Sequence, residues 1–211
     1  MAIISVESVS LTIGTAKILR DISVQFEEGQ IHGIVGRNGS GKTMLMKCIC
    51  GFVRPTAGRI IVAGNQVGRN MDFPPGLGLL IDTPGFVPYY SGLKNLELLA
   101  AINRRASKER LNACMEQLGL EEAKDKRVSK YSMGMRQRLG IAQAIMENPN
   151  LLILDEPLNG LDEQGVEDIR ALLTELRGQG KTILLSSHNR EDIDLLCDSV
   201  CKIACGVLTK V

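Results

Sequence analysis

The 211-residue sequence predicts an α/β fold with a mainly parallel central sheet, an N-terminal antiparallel β subdomain and a helical insertion at about 84–147. Short apolar runs alternate with helical segments, as in a parallel sheet covered by helices. The first segments instead alternate apolar and polar residues, as antiparallel strands do. A glycine-rich turn also joins the first short apolar run to a helix. Because no repeat or low-complexity stretch divides the chain, we expect residues 1–211 to form one domain.

The N-terminal elements follow from side-chain periodicity. Residues 3–13 and 22–26 alternate in steps of two and are rich in β-branched side chains, so they predict strands. Residues 31–35 form a short apolar run flanked by glycine, which predicts a buried strand. Residues 42–50 have helical composition. Strand, loop and helix therefore follow one another around the glycine-rich turn.

The rest of the chain continues the alternation. Further strands are predicted at 59–63, 78–81, 151–154 and 182–186. Further helices are predicted at 93–103, 108–118, 135–147, 166–177 and 190–196. Gly119 and Gly178 are predicted to end two of these helices because glycine readily adopts the left-handed backbone of a helix end. Pro149 stops a third, since the residue before proline disfavours helical geometry.

Composition excludes several classes of protein. The sequence has 25 basic and 24 acidic residues, so no strong field indicates a nucleic-acid partner, and none is expected. No apolar run approaches the roughly 18 residues that a membrane helix needs, and a signal segment is not apparent. We therefore expect a soluble, cytosolic chain. The six cysteines form no CxxC pair, which favours reduced thiols over a metal site or disulfides.

The glycine-rich turn matches the phosphate-binding pattern G-x-x-x-x-G-K-[ST] in full. Its residues are Gly36, Arg37, Asn38, Gly39, Ser40, Gly41, Lys42 and Thr43. Backbone N–H groups of such a loop curl around phosphate oxygens, and the helix that follows directs its positive end at them. Lys42 would reach the β- and γ-phosphates of a bound nucleotide, and Thr43 would ligate Mg²⁺. The pattern therefore predicts a P-loop NTPase.

A second motif places two acids at the end of a buried strand. The apolar run 151–154 is followed by Asp155 and Glu156, at the strand end where ligands of open α/β sheets bind. This pattern indicates a Walker B motif. Asp155 would hold Mg²⁺ through water, and Glu156 would orient, or take a proton from, the water that attacks the γ-phosphate. A strand-ending turn is the alternative when the motif is considered alone.

Just before these acids runs the stretch Tyr131-Ser132-Met133-Gly134-Met135. Together with the P-loop and the Walker B acids, this stretch makes the chain resemble an ABC-type ATPase from end to end, a family in which L-S-G-G-Q opens a helix at this point. The resemblance implies that Ser132 and Gly134 contact the γ-phosphate of ATP. Met133 and Met135 depart from the family motif. Considered alone, Ser132 could equally be a plain helix N-cap.

Two later positions extend the resemblance. Asp162 lies where the family has its D-loop, a contact between two subunits, although it could also be the N-cap of the next helix. His188 follows the strand 182–186 and resembles the family's switch histidine, which contacts the γ-phosphate and braces the catalytic glutamate. A lone histidine after a strand is more often structural, but its distance from the Walker B acids favours the switch. His32 has no such match.

Two positions depart from the family pattern. Asp82 stands where the family usually has a glutamine that senses Mg²⁺ and signals to the membrane subunit. Its carboxylate could bind Mg²⁺ through water, or it could simply belong to a turn with Thr83 and Pro84. Ile13 stands where an aromatic ring normally stacks on adenine. The loss of that ring weakens the case for strict selectivity for ATP.

The resemblance also implies partners. Two copies would bury two ATP molecules, each held by one P-loop and closed by the other copy's signature, so the expected assembly is a homodimer that forms on ATP binding. Asp82, Phe86, Tyr89 and Tyr90 would contact a separate integral membrane subunit on the inner face of the cell membrane. Asp82, the stretch 84–90 and the altered signature are most similar to a subgroup of simple exporters serving peptide-antibiotic resistance and bacteriocin immunity.

Two other functions stay open at this point. The first is an ABC-type ATPase that remodels a ribosome or DNA, although such proteins usually carry two fused cassettes or long coiled-coil inserts. The second is a regulatory switch that binds ATP without useful turnover. The departures at Asp82 and in the signature keep that second alternative open.

Overall fold

The computed structural model describes residues 1–82 and 85–211. The strands are β1 (Ala2–Ile13), β2 (Ala16–Glu27), β3 (Ile31–Val35), β4 (Ala57–Val62), β5 (Asn65–Gln66), β6 (Leu77–Leu80), β7 (Leu151–Asp155), β8 (Thr182–Ser187), β9 (Ser199–Ala204) and β10 (Val207–Lys210). The α-helices are α1 (Lys42–Cys50), α2 (Gly92–Asn103), α3 (Lys108–Gln117), α4 (Met133–Ile145), α5 (Glu163–Gly178) and α6 (Arg190–Leu196). Two short 3₁₀ turns, Glu121–Ala123 and Val128–Lys130, lie between α3 and α4.

The strands form two sheets. One has the order β2-β1-β4-β5 and is antiparallel throughout. The other has the order β10-β9-β3-β8-β7-β6, and all of its pairs are parallel except the terminal hairpin β9-β10. The predicted fold class is confirmed, with α2, α3 and α4 providing the mid-chain helices. Residues 83 and 84, where the predicted insertion begins, lie outside the described part of the chain.

The parallel sheet separates two apolar cores. On β7, Leu152 and Leu154 face the core built with the helical insertion, whereas Leu151 and Ile153 face the core shared with α1 and the antiparallel sheet. Successive side chains of a strand point to opposite faces, so a strand buried on both faces must be apolar at every position. This requirement explains the unbroken apolar run before Asp155.

Several element boundaries differ from the predicted ones. Helix α4 begins at Met133, because the Ser132 hydroxyl accepts a hydrogen bond from the Met135 N–H (3.1 Å) and so provides the first turn with a cap. Asp162 caps α5 in the same way through the Gly165 N–H (2.9 Å), so that helix begins before residue 166. Gly178 is the last residue of α5 and does not lie beyond its end, contrary to the prediction.

The predicted β2 was too short, and three strands were not predicted. Strand β2 begins at Ala16 because it pairs with β1 along its whole length. The hairpin β9-β10 turns at Cys205 and Gly206, which both have positive φ. Its sequence lacks the Asn-Gly or Asp-Gly pair that marks such turns, so periodicity alone did not reveal it. The two-residue β5 is likewise too short to show a period.

The helices that the structure describes are too short or too polar to span a membrane, and the cysteines are free thiols. Among residues 1–82 and 85–211, no helix is both long and apolar enough to cross a bilayer. All six cysteines are free, and only Cys205 is exposed. Burial raises the pKa of the Cys48 thiol to about 11 and that of the Cys50 thiol to about 12. These two thiols are therefore core side chains that hold their protons.

Candidate functional site

The sequence motifs meet at one edge of the parallel sheet. Strands β3, β7 and β8 run parallel, with Val35 paired to Ser187 and Asp155 paired to Ser186. The glycine-rich loop follows β3, Glu156 follows β7 and His188 follows β8. Because the carboxyl ends of parallel strands lie at the same edge, these three segments converge, in the position where open α/β sheets bind ligands.

The loop after β3 has the shape of an anion cradle. Gly39 and Gly41 have φ angles of 76° and 114°, which only glycine adopts without strain. A Cβ atom at Gly36 would lie 2.5 Å from the carbonyl oxygen of Ile203, so the backbone passes too close for any side chain there. Helix α1 then begins at Lys42 with no side-chain cap and no acid in its first turn. Its first N–H groups therefore remain available to an anion.

A cavity of about 420 Å³ lies against this loop. It is lined by Ile18, by residues 37–44, and by Asp155 and Glu156. Glu156 also lines a neighbouring cavity of about 360 Å³, and His188 lines that second cavity with it. The charged residues in the other walls of that second cavity are Glu163, Glu167, Glu191, Asp192 and Arg170. Four acids against one arginine disfavour a phosphate, so the cavity at the loop is the better anion site.

Lys42 lies at the back of the loop. Its side chain is only 6% exposed, and its ammonium donates to the carbonyl oxygen of Gly36 (2.8 Å). The same ammonium lies 3.3 Å from Oε1 of Glu156. Among residues 1–82 and 85–211, Glu156 Oε1 has no hydrogen-bond partner, so its contact with Lys42 is one of charge alone. Lys42 thus sits between the loop and the acid, where a phosphate could share its charge.

Thr43 and Asp155 place oxygen atoms side by side. The Thr43 hydroxyl donates to Oδ2 of Asp155 (2.5 Å), and the Ser186 hydroxyl donates to Oδ1 of the same carboxylate. Hydroxyl and carboxylate oxygens beside a phosphate site are the donors that Mg²⁺ prefers. The residues present therefore fit a Mg²⁺ ion held by Thr43 and Asp155.

Glu156 is held in an unusual backbone conformation. Its φ angle is 50°, in the left-handed region that residues other than glycine seldom occupy. Its N–H donates to the Ser186 hydroxyl (3.0 Å), and its Oε2 lies 2.7 Å from Nδ1 of His188. The His188 N–H points at the same oxygen (3.3 Å). The carboxylate is thereby fixed between Lys42 on one side and His188 on the other.

The signature residues lie apart from this cavity. Ser132 caps α4, and a Cβ atom at Gly134 would lie 3.1 Å from the carbonyl oxygen of Gly160. Neither Ser132 nor Gly134 lines the cavity at the P-loop. Met133 is 59% exposed beside them, and Asp162 caps α5. These residues form a surface of the chain and do not complete its own P-loop site.

Besides the signature residues, Ile13 and Asp82 lie outside the cavity. Ile13 is 53% exposed at the end of β1, and Ile18 lines the cavity instead. Asp82 has a φ angle of 58° and pairs with Lys47 on α1 (2.6 Å). Lys47 lies four residues after Thr43, so Asp82 is bound about one helical turn further along α1. Thr83 and Pro84, the turn residues proposed as the alternative for Asp82, lie outside the described residues.

The three predicted aromatic contacts differ in exposure. Phe86 is partly buried and packs against the main core. Tyr89 and Tyr90 are 66% and 41% exposed, with ring centroids 5.1 Å apart in an edge-on arrangement. Phe86 thus packs partly onto the core, while the two tyrosines present apolar surface to solvent.

Sequence reasoning missed two residues that hold the site. Ser186 donates to Asp155 and accepts from the Glu156 N–H, and its only signal in the sequence was its position two residues before His188. Gln137 donates to the carbonyl oxygens of Glu156 (2.9 Å) and Pro157 (3.0 Å). No local pattern marks Gln137, because its partners are distant in sequence.

Comparison with known proteins is consistent with this geometry. Residues 19–159 match the ABC transporter family model. An uncharacterized ABC transporter ATP-binding protein of Bacillus subtilis, YybJ, is 42% identical over 195 residues, which cover 92% of this chain and 89% of that protein. The bacitracin transport ATP-binding protein BcrA of Enterococcus faecalis is 39% identical over 200 residues, covering 94% of this chain and 65% of BcrA. The chain is therefore similar to BcrA over less than two thirds of that relative's length.

A solved structure shares the fold. A dimeric ATP-binding cassette in a post-hydrolysis state, bound to ADP and Pi, superposes with a TM-score of 0.88 at 22% identity and covers 98% of each chain. At that identity the likeness establishes the arrangement of strands and helices.

Proposed function

The chain belongs to the ABC transporter family as an ATP-binding protein, and we propose that it hydrolyses ATP to power an exporter through closure of a homodimer. One observation carries the proposal. The Glu156 carboxylate is held between Lys42 and His188 at the mouth of the P-loop, beside the Thr43–Asp155 oxygen pair. This arrangement places a base, a phosphate-binding lysine and metal-binding oxygens around a single cavity.

Different residues of the site bind the phosphates, hold the metal ion and activate the attacking water. The N–H groups of residues 36–43 and the Lys42 ammonium bind the phosphates of ATP. Thr43 and Asp155 would hold Mg²⁺, which would supply positive charge to the phosphate oxygens. Glu156 accepts a proton from the attacking water or orients it, and His188 keeps the carboxylate aimed at the γ-phosphate. Selectivity for adenine should be weaker than recognition of the phosphates, because Ile13 provides no ring to stack on the base.

The position of the signature residues Ser132 and Gly134 supports the proposed homodimer. Ser132 and Gly134 lie outside their own P-loop cavity, at the N-terminus of α4, where the Ser132 hydroxyl occupies only the Met135 N–H and leaves other N–H groups for a phosphate. A second copy would bring these residues over the nucleotide, and Asp162 would lie near the same contact. Each site is then completed by both copies, and ATP binding favours the closed pair through its higher affinity for that state. An isolated chain should hydrolyse ATP slowly.

A separate membrane protein would receive this motion. Tyr89 and Tyr90 are exposed aromatics on one loop, a composition enriched at interfaces. Asp82 and Phe86 lie on the same loop and would support the contact. The chain would then sit on the inner face of the membrane through that partner. The similarity to a bacitracin transport protein supports a peptide antibiotic as the exported class.

The experiment that tests the function is a Glu156→Gln variant of the full chain. The variant keeps the shape of the side chain and removes the base, so it should bind ATP, form a stable dimer in size-exclusion chromatography and lose turnover. Glu175→Gln, at an exposed position near the end of α5, is the control and should retain the activity of the parent chain. A Glu156→Gln variant that stays monomeric with ATP and turns over normally would overturn the proposal.

A further inference from the structure

The backbone of Glu156 is held from both sides by side chains. Its N–H donates to the Ser186 hydroxyl (3.0 Å), and its carbonyl oxygen accepts from the Gln137 amide (2.9 Å). The second proton of that amide donates to the carbonyl oxygen of Pro157 (3.0 Å). Because both partners of the amide are carbonyl oxygens, the side chain of Gln137 must present its nitrogen to them.

The φ angle of Glu156 makes this support necessary. A residue with a side chain persists in the left-handed region only where its surroundings impose that conformation. Rotation of the Glu156 backbone toward ordinary φ values would turn the carboxylate away from His188 and Lys42. The amide of Gln137 opposes this rotation by bonding the two carbonyl groups that follow the Glu156 Cα atom.

Gln137 also belongs to the helix that begins at the signature. Helix α4 is capped by Ser132, and Gln137 lies about one turn further along. The first turn of the same helix also contacts the loop after Glu156. Met133 packs so closely on Gly160 that a Cβ atom at Gly160 would lie 2.7 Å from Cε of Met133. The N-terminal half of α4 therefore holds the segment 156–160 at two points.

We propose that Gln137 is a positioning residue for Glu156, and that it links the signature helix to the catalytic carboxylate of the same subunit. The proposal rests on the function proposed above, in which Ser132 serves the nucleotide of the other copy. Gln137 then lies between the two sites of the dimer. Contact of Ser132 with one nucleotide moves α4, and the two amide hydrogen bonds pass that movement to the residue that hydrolyses the other.

A Gln137→Met variant tests the positioning role. Methionine has a similar length and volume and lacks both donors, so the helix should still pack. We expect kcat to fall by about 10-fold to 100-fold, since small misplacement of a reacting group has effects of that size. The KM for ATP should change by less than about 2-fold because the P-loop contacts are intact. Gln143→Met, on the same helix but lining a different cavity, is the matched control and should retain the parental kcat.

Thermal unfolding separates positioning from a structural role. If kcat falls only in proportion to a loss of folded protein, or if KM rises as much as kcat falls, the positioning role is overturned. Unchanged turnover in Gln137→Met, with turnover lost in Glu156→Gln, would overturn this inference and leave the proposed function standing. Turnover retained in Glu156→Gln would overturn the proposed function itself.

The link between the sites is tested by a double-mutant cycle of Ser132→Ala and Gln137→Met. If α4 transmits the signature contact through Gln137, the second change should add little to the first, and the combined loss should be well below the product of the single losses. A combined loss equal to that product would contradict the link.

Discussion

Oε2 of Glu156 lies 2.7 Å from Nδ1 of His188, although 32 residues separate the two in sequence. The His188 N–H also faces this oxygen (3.3 Å), so one residue binds the carboxylate through its ring and its backbone. The other carboxylate oxygen faces the Lys42 ammonium at 3.3 Å. The orientation of the acid is therefore set from two sides, by the first residue of α1 after β3 and by the loop after β8.

His188→Ala should lower kcat for ATP by about 10²-fold, because the carboxylate loses the partner that orients it. The ring does not form part of the P-loop, so nucleotide affinity should change little. Steady-state kinetics with a direct binding titration would measure both effects. Unaltered kcat in His188→Ala would show that the pairing with Glu156 has no part in hydrolysis.

Lys42→Ala should weaken nucleotide binding by at least about tenfold, since it removes a charged hydrogen-bond donor from a buried position. Titration with a fluorescent ATP analogue provides the Kd. Lys108→Ala, at an exposed position on α3, is the control for the loss of one positive charge. Equal Kd values for the two variants would contradict the phosphate-binding role of Lys42.

Asp155→Asn should raise the Mg²⁺ concentration needed for half-maximal turnover, because a neutral amide is a weaker ligand for a hard cation. The Thr43 and Ser186 hydroxyls would also lose a charged acceptor, which should lower stability by about 1–3 kcal/mol. ATPase assays across a Mg²⁺ series and denaturant unfolding measure the two effects. An unchanged Mg²⁺ dependence would exclude Asp155 as a holder of the ion.

Asp82→Asn distinguishes the two roles of that residue. Its ion pair with Lys47 is partly exposed to solvent (59% for Asp82 and 25% for Lys47), so its loss should change stability by about 1 kcal/mol or less. A role at Mg²⁺ predicts a higher Mg²⁺ requirement for turnover as well. If only coupling to the membrane subunit depends on Asp82, the isolated chain should keep its Mg²⁺ requirement, and the prediction of a metal role would be wrong.

The cysteines should react with iodoacetamide in a defined order. Burial raises the pKa of Cys48 to about 11 and of Cys50 to about 12, so both remain protonated at pH 8, whereas Cys205 is exposed. Cys205 should be alkylated first, as measured by peptide mass spectrometry. Rapid modification of Cys48 at pH 8 would contradict this order.

The raised pKa values of Cys48 and Cys50 also make the stability of the fold depend on pH. The two protonated thiols stabilise the fold below the ordinary thiol pKa. This contribution to the free energy of unfolding falls as pH rises above about 9 and is lost by about 11 to 12.

The terminal hairpin and Gln137 show where sequence reasoning stopped. Strands β9 and β10 follow the last predicted helix, and their turn lacks a diagnostic residue pair. Gln137 was visible only as part of a helix, because its two acceptors lie 19 and 20 residues away. Hydrogen bonds between elements depend on how those elements pack, and periodicity within one element carries no information about packing.

By itself, the sequence determined the fold class, the P-loop and the acids at the end of β7, because these depend on local spacing and on the burial of whole strands. The full match at residues 36–43 predicts a phosphate-binding loop from local spacing alone. Only the tertiary structure decided that Asp82 pairs with Lys47, that Ile18 lines the cavity and that Ser186 and Gln137 hold Glu156. These contacts join residues from different elements, so they exist only once the two cores have brought the elements together.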